Sequence, residues 1–156
     1  MQSFIYEMPT KVIFGRDIFS TQATQWKGYG KRALIATGAH SAKSTGALDK
    51  VIDICTAAGQ EYVVFDHVQP NPHTRDMDMA ADFGRKHNVD FVVGIGGGSA
   101  MDAAKVTAIL LKHPETKAID LCKVSGKDGL PVICIPTTAG TGSEVTPFAV
   151  MTADEI

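Results

Sequence analysis

The chain is poor in cysteine, has no surplus of either charge and contains no long hydrophobic run. Its three cysteines, Cys55, Cys122 and Cys134, stand far apart, with neither an even count nor a metal-binding spacing. A disulfide scaffold is therefore excluded, and reduced core thiols in a cytoplasmic protein are expected. Cys55 fits a helix face and Cys134 an apolar strand. Fifteen Lys and Arg residues stand against 17 Asp and Glu, a formal net charge of −2. Nothing in that balance would hold a phosphate backbone, so nucleic acid is excluded as a partner. No apolar run approaches the roughly 20 residues of a membrane span. The opening Met1–Glu7 has neither the cationic start nor the apolar centre of a secretory signal. What is present is 156 residues, 44% of them hydrophobic, enough for the core of one domain.

Short apolar runs alternate with helical periods. Arg32–Thr37, Tyr62–Phe65, Phe91–Ile95 and Val132–Ile135 read as strands. Between the first two, Leu48, Val51, Ile52 and Cys55 form one helical stripe, closed by Gly59. Pro70-Asn71-Pro72 forbids regular structure on either side. Thr74 can cap a helix that buries Met77, Ala80, Ala81 and Gly84, and a further helix is expected from about Ser99 to Leu111. Nearly all-apolar strands separated by helices imply a parallel sheet covered on both faces. The fold class is α/β, doubly wound and Rossmann-like, with ligands beyond the strands' carboxyl ends. At the front, Phe4–Met8 and Lys11–Phe14 read as two short strands, followed by a helix carrying Phe19, Ala23 and Trp26 on one face. Phe148–Met151 starts another apolar strand whose partner is missing, so residues 1–156 read as the front part of a longer protein.

The chemistry concentrates at Gly94-Ile-Gly96-Gly97-Gly98-Ser99, where a buried strand empties into a helix. A helix start there leaves several backbone N–H groups free and pointing one way, with partial positive charge from the helix dipole. Glycine lets an anion approach the main chain closely, which suits phosphate and suggests a nucleotide. The register is not the Gly-x-Gly-x-x-Gly dinucleotide fingerprint, and it lies on a late strand. Asp102 and Lys105 follow three residues apart on one helix face, where a surface ion pair and a ligand role both fit. A second element, Pro136-Thr-Thr-Ala-Gly-Thr-Gly-Ser-Glu144, offers hydroxyls and glycines after a buried strand. Alone it reads as a polar loop with a helix cap.

Together the two elements resemble the iron-containing (group III) alcohol dehydrogenase family. Gly-Gly-Gly-Ser-x-x-Asp-x-x-Lys, the later Pro-Thr-Thr-Ala-Gly-Thr-Gly-Ser-Glu, the opening Pro9–Gly15 and Pro70-Asn-Pro72 carry the likeness. It implies an N-terminal nucleotide-binding domain followed by a helical metal-binding domain. It also implies hydride transfer between a small alcohol or aldehyde and NAD or NADP, and a homodimer built on the N-terminal strands. By that resemblance Asn71, Gly97, Gly98, Ser99, Asp102, Thr138 and Thr141 contact the cofactor, with Thr137, Ser143 and Lys105 as further candidates. Relatives often carry aspartate where this chain has Gly38, and a carboxylate there would repel a 2′-phosphate. Gly38-Ala-His-Ser-Ala-Lys43 offers space, the Ser41 hydroxyl and two possible cations instead, so NADP is expected to be accepted and preferred. The divalent metal, iron or zinc, is expected in the domain this chain lacks. His40, His67, His73, His87 and His113 are scattered without an i, i+4 pair, and none is assigned to a metal. The segment alone is expected to be inactive. Two other readings are a glycerol-dehydrogenase-like or dehydroquinate-synthase-like metalloenzyme of the same superfamily, and a non-catalytic nucleotide-binding or assembly module.

Overall fold

A computed structural model describes residues 8–123 and 126–154. Four strands form one parallel sheet: β1 Arg32–Thr37, β2 Glu61–Phe65, β3 Phe91–Gly96 and β4 Val132–Pro136, in the order β2-β1-β3-β4. Representative register pairs are Leu34 with Val63, Ala33 with Phe91 and Val93 with Ile133. The central strands β1 and β3 are buried on both faces, which is why their sequences run apolar without alternation. The edge strands are less covered: β2 begins exposed at Glu61 and Tyr62, and β4 is half-buried.

Alternate residues of β1 feed two cores. Leu34 and Ala36 pack with Met77, Ala80 and Ala81 of helix α4, Thr74–Lys86, and with Ala104 and Leu110 of helix α5, Gly98–Lys112. Ala33 and Ile35 face the opposite layer, with Val51, Ile54 and Cys55 of α3, Ala47–Ala58. Trp26 of the single-turn α1, Ala23–Trp26, closes that layer, edge-on to Phe91 at 6.4 Å. Each large apolar side chain so buried contributes roughly 1.5–3 kcal/mol. A one-turn helix α2, Ser41–Ser44, precedes α3, and another, α6, Ala118–Leu121, follows α5.

Several expectations are corrected. Lys11–Phe14 is not a strand: Val12 and Phe14 are exposed, and among the described residues no strand lies beside them to complete a ladder. The expected Phe4–Met8 strand lies outside the described residues save Met8, which is not in a strand. Phe148–Met151 likewise has no ladder, and only an isolated bridge joins Thr152 to His73. The first helix is divided into a 3-10 turn, Ile18–Thr21, and α1, although Phe19, Ala23 and Trp26 do share one core. His73, not Thr74, is the N-cap of α4. Cys55 is buried and Cys134 partly so, and burial pushes both thiols up to about 11, whereas Cys122 is exposed.

Candidate functional site

In this strand order β1 leads outward to β2, the chain then crosses back to β3, and a crevice opens beyond the carboxyl ends of β1 and β3. Gly38 follows β1, and the glycine turn closes β3. Gly96 has φ 152°, a conformation side chains rarely adopt, and the turn then delivers Gly97 as the extended N-cap of α5. No side chain caps this helix start, so its first-turn amides keep their donor capacity.

The glycines divide by what a Cβ would meet. At Gly94 it would lie 2.7 Å from Ala104 Cβ, and at Gly96 2.8 Å from Ala100 Cβ. Those two serve close packing of strand on helix. At Gly97 it would meet nothing within 4 Å, so this glycine faces open space. At Gly98 it would come within 3.1 Å of Thr141.

The other expected residues gather around this turn. The Asn71 amide donates to Ser99 Oγ at 3.3 Å, with Asn71 at φ 51°. Ser41 Oγ lies 3.6 Å from where a Cβ on Gly96 would be. The Thr137 amide donates to the Gly96 carbonyl at 2.9 Å, and Thr138 and Thr141 stand exposed on the same loop. Asn71, Gly98, Ser99, Asp102, Thr141 and Ser143 line a cavity of about 490 Å³. A second cavity, of about 320 Å³, lies under β4 and includes Gln22 and Glu144 in its wall. Each of those two residues carries a buried side-chain oxygen without a partner, acceptors that disfavour an anion.

Asp102, Lys105 and Ser143 are joined to one another within the chain. Asp102 Oδ1 accepts from Ser143 Oγ at 2.5 Å and Lys105 Nζ at 3.2 Å, and Oδ2 accepts from the Val150 amide at 3.0 Å. Lys105 Nζ also donates to Ser143 Oγ and to the Phe148 carbonyl, both at 2.7 Å. The cluster ties the segment after η-turn Ser143–Val145 to α5. Asp154, which the sequence reading did not single out, holds that segment's other end. It accepts from Thr74 Oγ1 and from the Arg75 amide, both at 2.9 Å, and lies 2.8 Å from His73 Nδ1. The Arg75 amide, followed by Thr74 and His73, holds its carboxyl below the usual aspartate range. That contribution is therefore complete above the ordinary value of about 3.9 and is lost as pH falls through the lowered one. Nothing local in the sequence announces this contact, because Asp154 is 79 residues from Arg75.

At the outer end of the crevice, Lys43 donates to Asp66 at 2.8 Å, and this hydrogen bond lowers the Asp66 carboxyl below its ordinary range. Among the described residues no group of three His, Cys, Asp or Glu side chains converges to hold a metal ion. No helix among them is long and apolar enough to cross a membrane.

Residues 9–156 match the sequence profile of the family described as Iron-containing alcohol dehydrogenase. The chain is 34% identical over 154 residues to NADH-dependent butanol dehydrogenase B of Clostridium acetobutylicum, covering 97% of this chain and 39% of the relative. It is 32% identical over 156 residues to the NADPH-dependent butanol dehydrogenase of Clostridium saccharobutylicum, covering 94% and 38%. Among solved structures, an iron-containing alcohol dehydrogenase from Thermotoga maritima superposes with TM-score 0.90 at 42% identity, over 97% of this chain and 43% of that one. The chain thus spans 38–39% of the length of these two curated relatives. A profile match over nearly every residue, on a parallel sheet with a glycine turn at its switch point, places this chain in the iron-containing alcohol dehydrogenase family.

Proposed function

We propose that this chain is the cofactor-binding part of an alcohol dehydrogenase that acts on small alcohols and aldehydes with a nicotinamide dinucleotide. The observation that carries this reading is the uncapped start of α5 beside Gly97, where a Cβ would meet nothing within 4 Å. A diphosphate there accepts from the free first-turn amides and lies in the field of the helix dipole. Asn71, Ser99, Thr138 and Thr141 orient the rest of the dinucleotide from the rims, with Gly98, Thr137 and Ser41 beside them. The nicotinamide supplies hydride transfer when bound. This chain's residues bind and orient it. A metal ion, iron or zinc, held by residues outside this chain, would supply Lewis-acid chemistry, and in this proposal the chain alone does not turn over. The protein works in the cytoplasm as a homodimer, and the exposed apolar Val12 and Phe14 support a contact through the N-terminal segment.

Calorimetric titration of the full chain with NADP⁺ tests this. Gly97→Val is expected to weaken binding at least about tenfold, because diphosphate sites need close main-chain approach. Its thermal midpoint stays that of the parent, since the added carbons enter open space. Equal affinity in parent and variant would overturn the reading.

NADP is preferred over NAD in this proposal, because no carboxylate stands at Gly38. His40 and Ser41 are exposed there, and Lys43 shares its charge with Asp66. An aspartate Cβ at Gly38 would stand 3.3 Å from the Val68 carbonyl oxygen, a tight contact that requires the main chain at Val68 to give slightly. Gly38→Asp is expected to cost NADP⁺ affinity about tenfold through charge repulsion while leaving NAD⁺ within about twofold. A parent that prefers NAD⁺, with a ratio the substitution leaves unmoved, would refute the preference.

A further inference from the structure

The geometry points to Asp154 as a positioning residue: by gripping the start of α4 it fixes residues 146–154 as a strap along the crevice, and so sets the width available to a ligand. This rests on the dinucleotide reading above for the identity of that ligand. The strap is held at two ends. At one, Asp102 and Lys105 take the Val150 amide and the Phe148 carbonyl. At the other, the Thr152 amide donates to the Pro72 carbonyl at 2.9 Å, and the Thr74 amide donates to the Thr152 carbonyl at 3.0 Å. Asp154 completes this second attachment with His73, Thr74 and Arg75.

A carboxylate at a helix start is favoured by the orphan amides and the dipole. Helices usually take that group from a neighbouring residue. Here α4, 13 residues long, has one such carboxylate of its own, Asp76, which accepts from the His73 amide, and takes a second from Asp154 at the far end of the described chain, so the added capping energy also fastens the strap. Phe148, Val150, Met151 and Thr152 of this strap line the same cavity as Asn71 and Ser99. Phe148 and Val150 are largely exposed, so the packing of that segment rests on Ala149 and Met151, which are partly buried against the core.

The test combines amide hydrogen exchange with NADP⁺ and NAD⁺ titration on the full chain, for the parent, Asp154→Ala and Asp154→Asn at neutral pH. In Asp154→Ala, exchange at the Thr74, Arg75 and Thr152 amides is expected to quicken about tenfold by local opening while β1 and β3 amides keep parental rates. NADP⁺ binding is expected to weaken about fivefold, the size of a lost helix cap. Asp154→Asn keeps one acceptor oxygen and is expected to recover part of both effects. A general loss of stability would move β1 and β3 amides as well, and would overturn the positioning role. Should Asp154→Ala not fold, Thr74→Val removes the hydroxyl that Asp154 grips and is expected to act in the same direction. A parent that binds neither dinucleotide overturns the dinucleotide reading, and the exchange rates still judge the strap. A parent that binds, with exchange or affinity unmoved in the variants, overturns the positioning role alone.

Discussion

Valine in place of Gly94 is expected to be the most damaging single change in this chain, removing about 4 kcal/mol or preventing folding outright. Gly94 sits in the middle of β3, where the strand is buried along its whole length. Its missing Cβ would fall 2.7 Å from Ala104 Cβ and 3.1 Å from both the Ala100 carbonyl oxygen and the Met101 Cα. Two of those three atoms are main chain, so no rotamer change relieves the clash, and α5 itself must move. That helix cannot shift freely, since its own start is fixed to the end of β3 by the glycine turn. Overpacking with yielding neighbours costs about 1–3 kcal/mol, and a β-branched side chain against backbone belongs above that range. Chemical unfolding of parent, Gly94→Ala and Gly94→Val measures it, with alanine expected near about 2 kcal/mol. Removing the opposing methyl group should return part of the loss, so Gly94→Ala combined with Ala104→Gly is expected to be more stable than Gly94→Ala. A Gly94→Val protein that unfolds with the parental midpoint would show that strand and helix are not packed as described.

The contrast between Gly94 and Gly97 marks what could be read from the residues. That a glycine cluster joins strand to helix was legible, because the apolar run of β3 and the alanine-rich start of α5 flank it. Which glycine packs and which faces open space was not, because that depends on where α5 lies across the sheet. β1 was legible to the residue, since a central parallel strand must be apolar on both faces and stops at its first break, Gly38. The stripe of α4 was legible for the same kind of reason, and Met77, Ala80, Ala81 and Gly84 are all buried. Lys11–Phe14 and Phe148–Met151 misled because β-propensity records only fitness for a sheet, and the ladder needs a neighbour. The short α6 left no periodicity to detect. Asp102 was legible as a residue of importance beside the turn, but its partners Ser143 and Val150 lie 41 and 48 residues away. Contacts of that range carry no local signal, and Asp154 escaped notice for the same reason.

Asp102→Ala is expected to destabilise the chain by about 3 kcal/mol, and it decides between two roles for this carboxylate. In the family resemblance Asp102 touches the cofactor. In the structure both of its oxygens are occupied within the chain, by Ser143, Lys105 and the Val150 amide. The Asp102 and Lys105 side chains are only 10% and 14% exposed, so the pair is little screened by solvent. Removing the aspartate leaves the lysine charge without its counter-ion and the Val150 amide without an acceptor. Breaking such a buried pair costs about 3–5 kcal/mol, and the lower end applies because Lys105 keeps two neutral oxygens. Asp102→Asn preserves an acceptor for Val150 and is expected to lose less. Asp102→Ala with Lys105→Met removes both charges together and should recover part of the stability, since an apolar pair in such a place is often no worse than an ionic one. Unfolding midpoints of the four proteins read the structural role, and NADP⁺ titration of the same four reads the other. A parental midpoint with lost nucleotide affinity in Asp102→Ala would restore Asp102 to the cofactor. The hydrogen bonds predict the reverse order, in which stability falls first and affinity follows because the wall that Val150 belongs to has come loose.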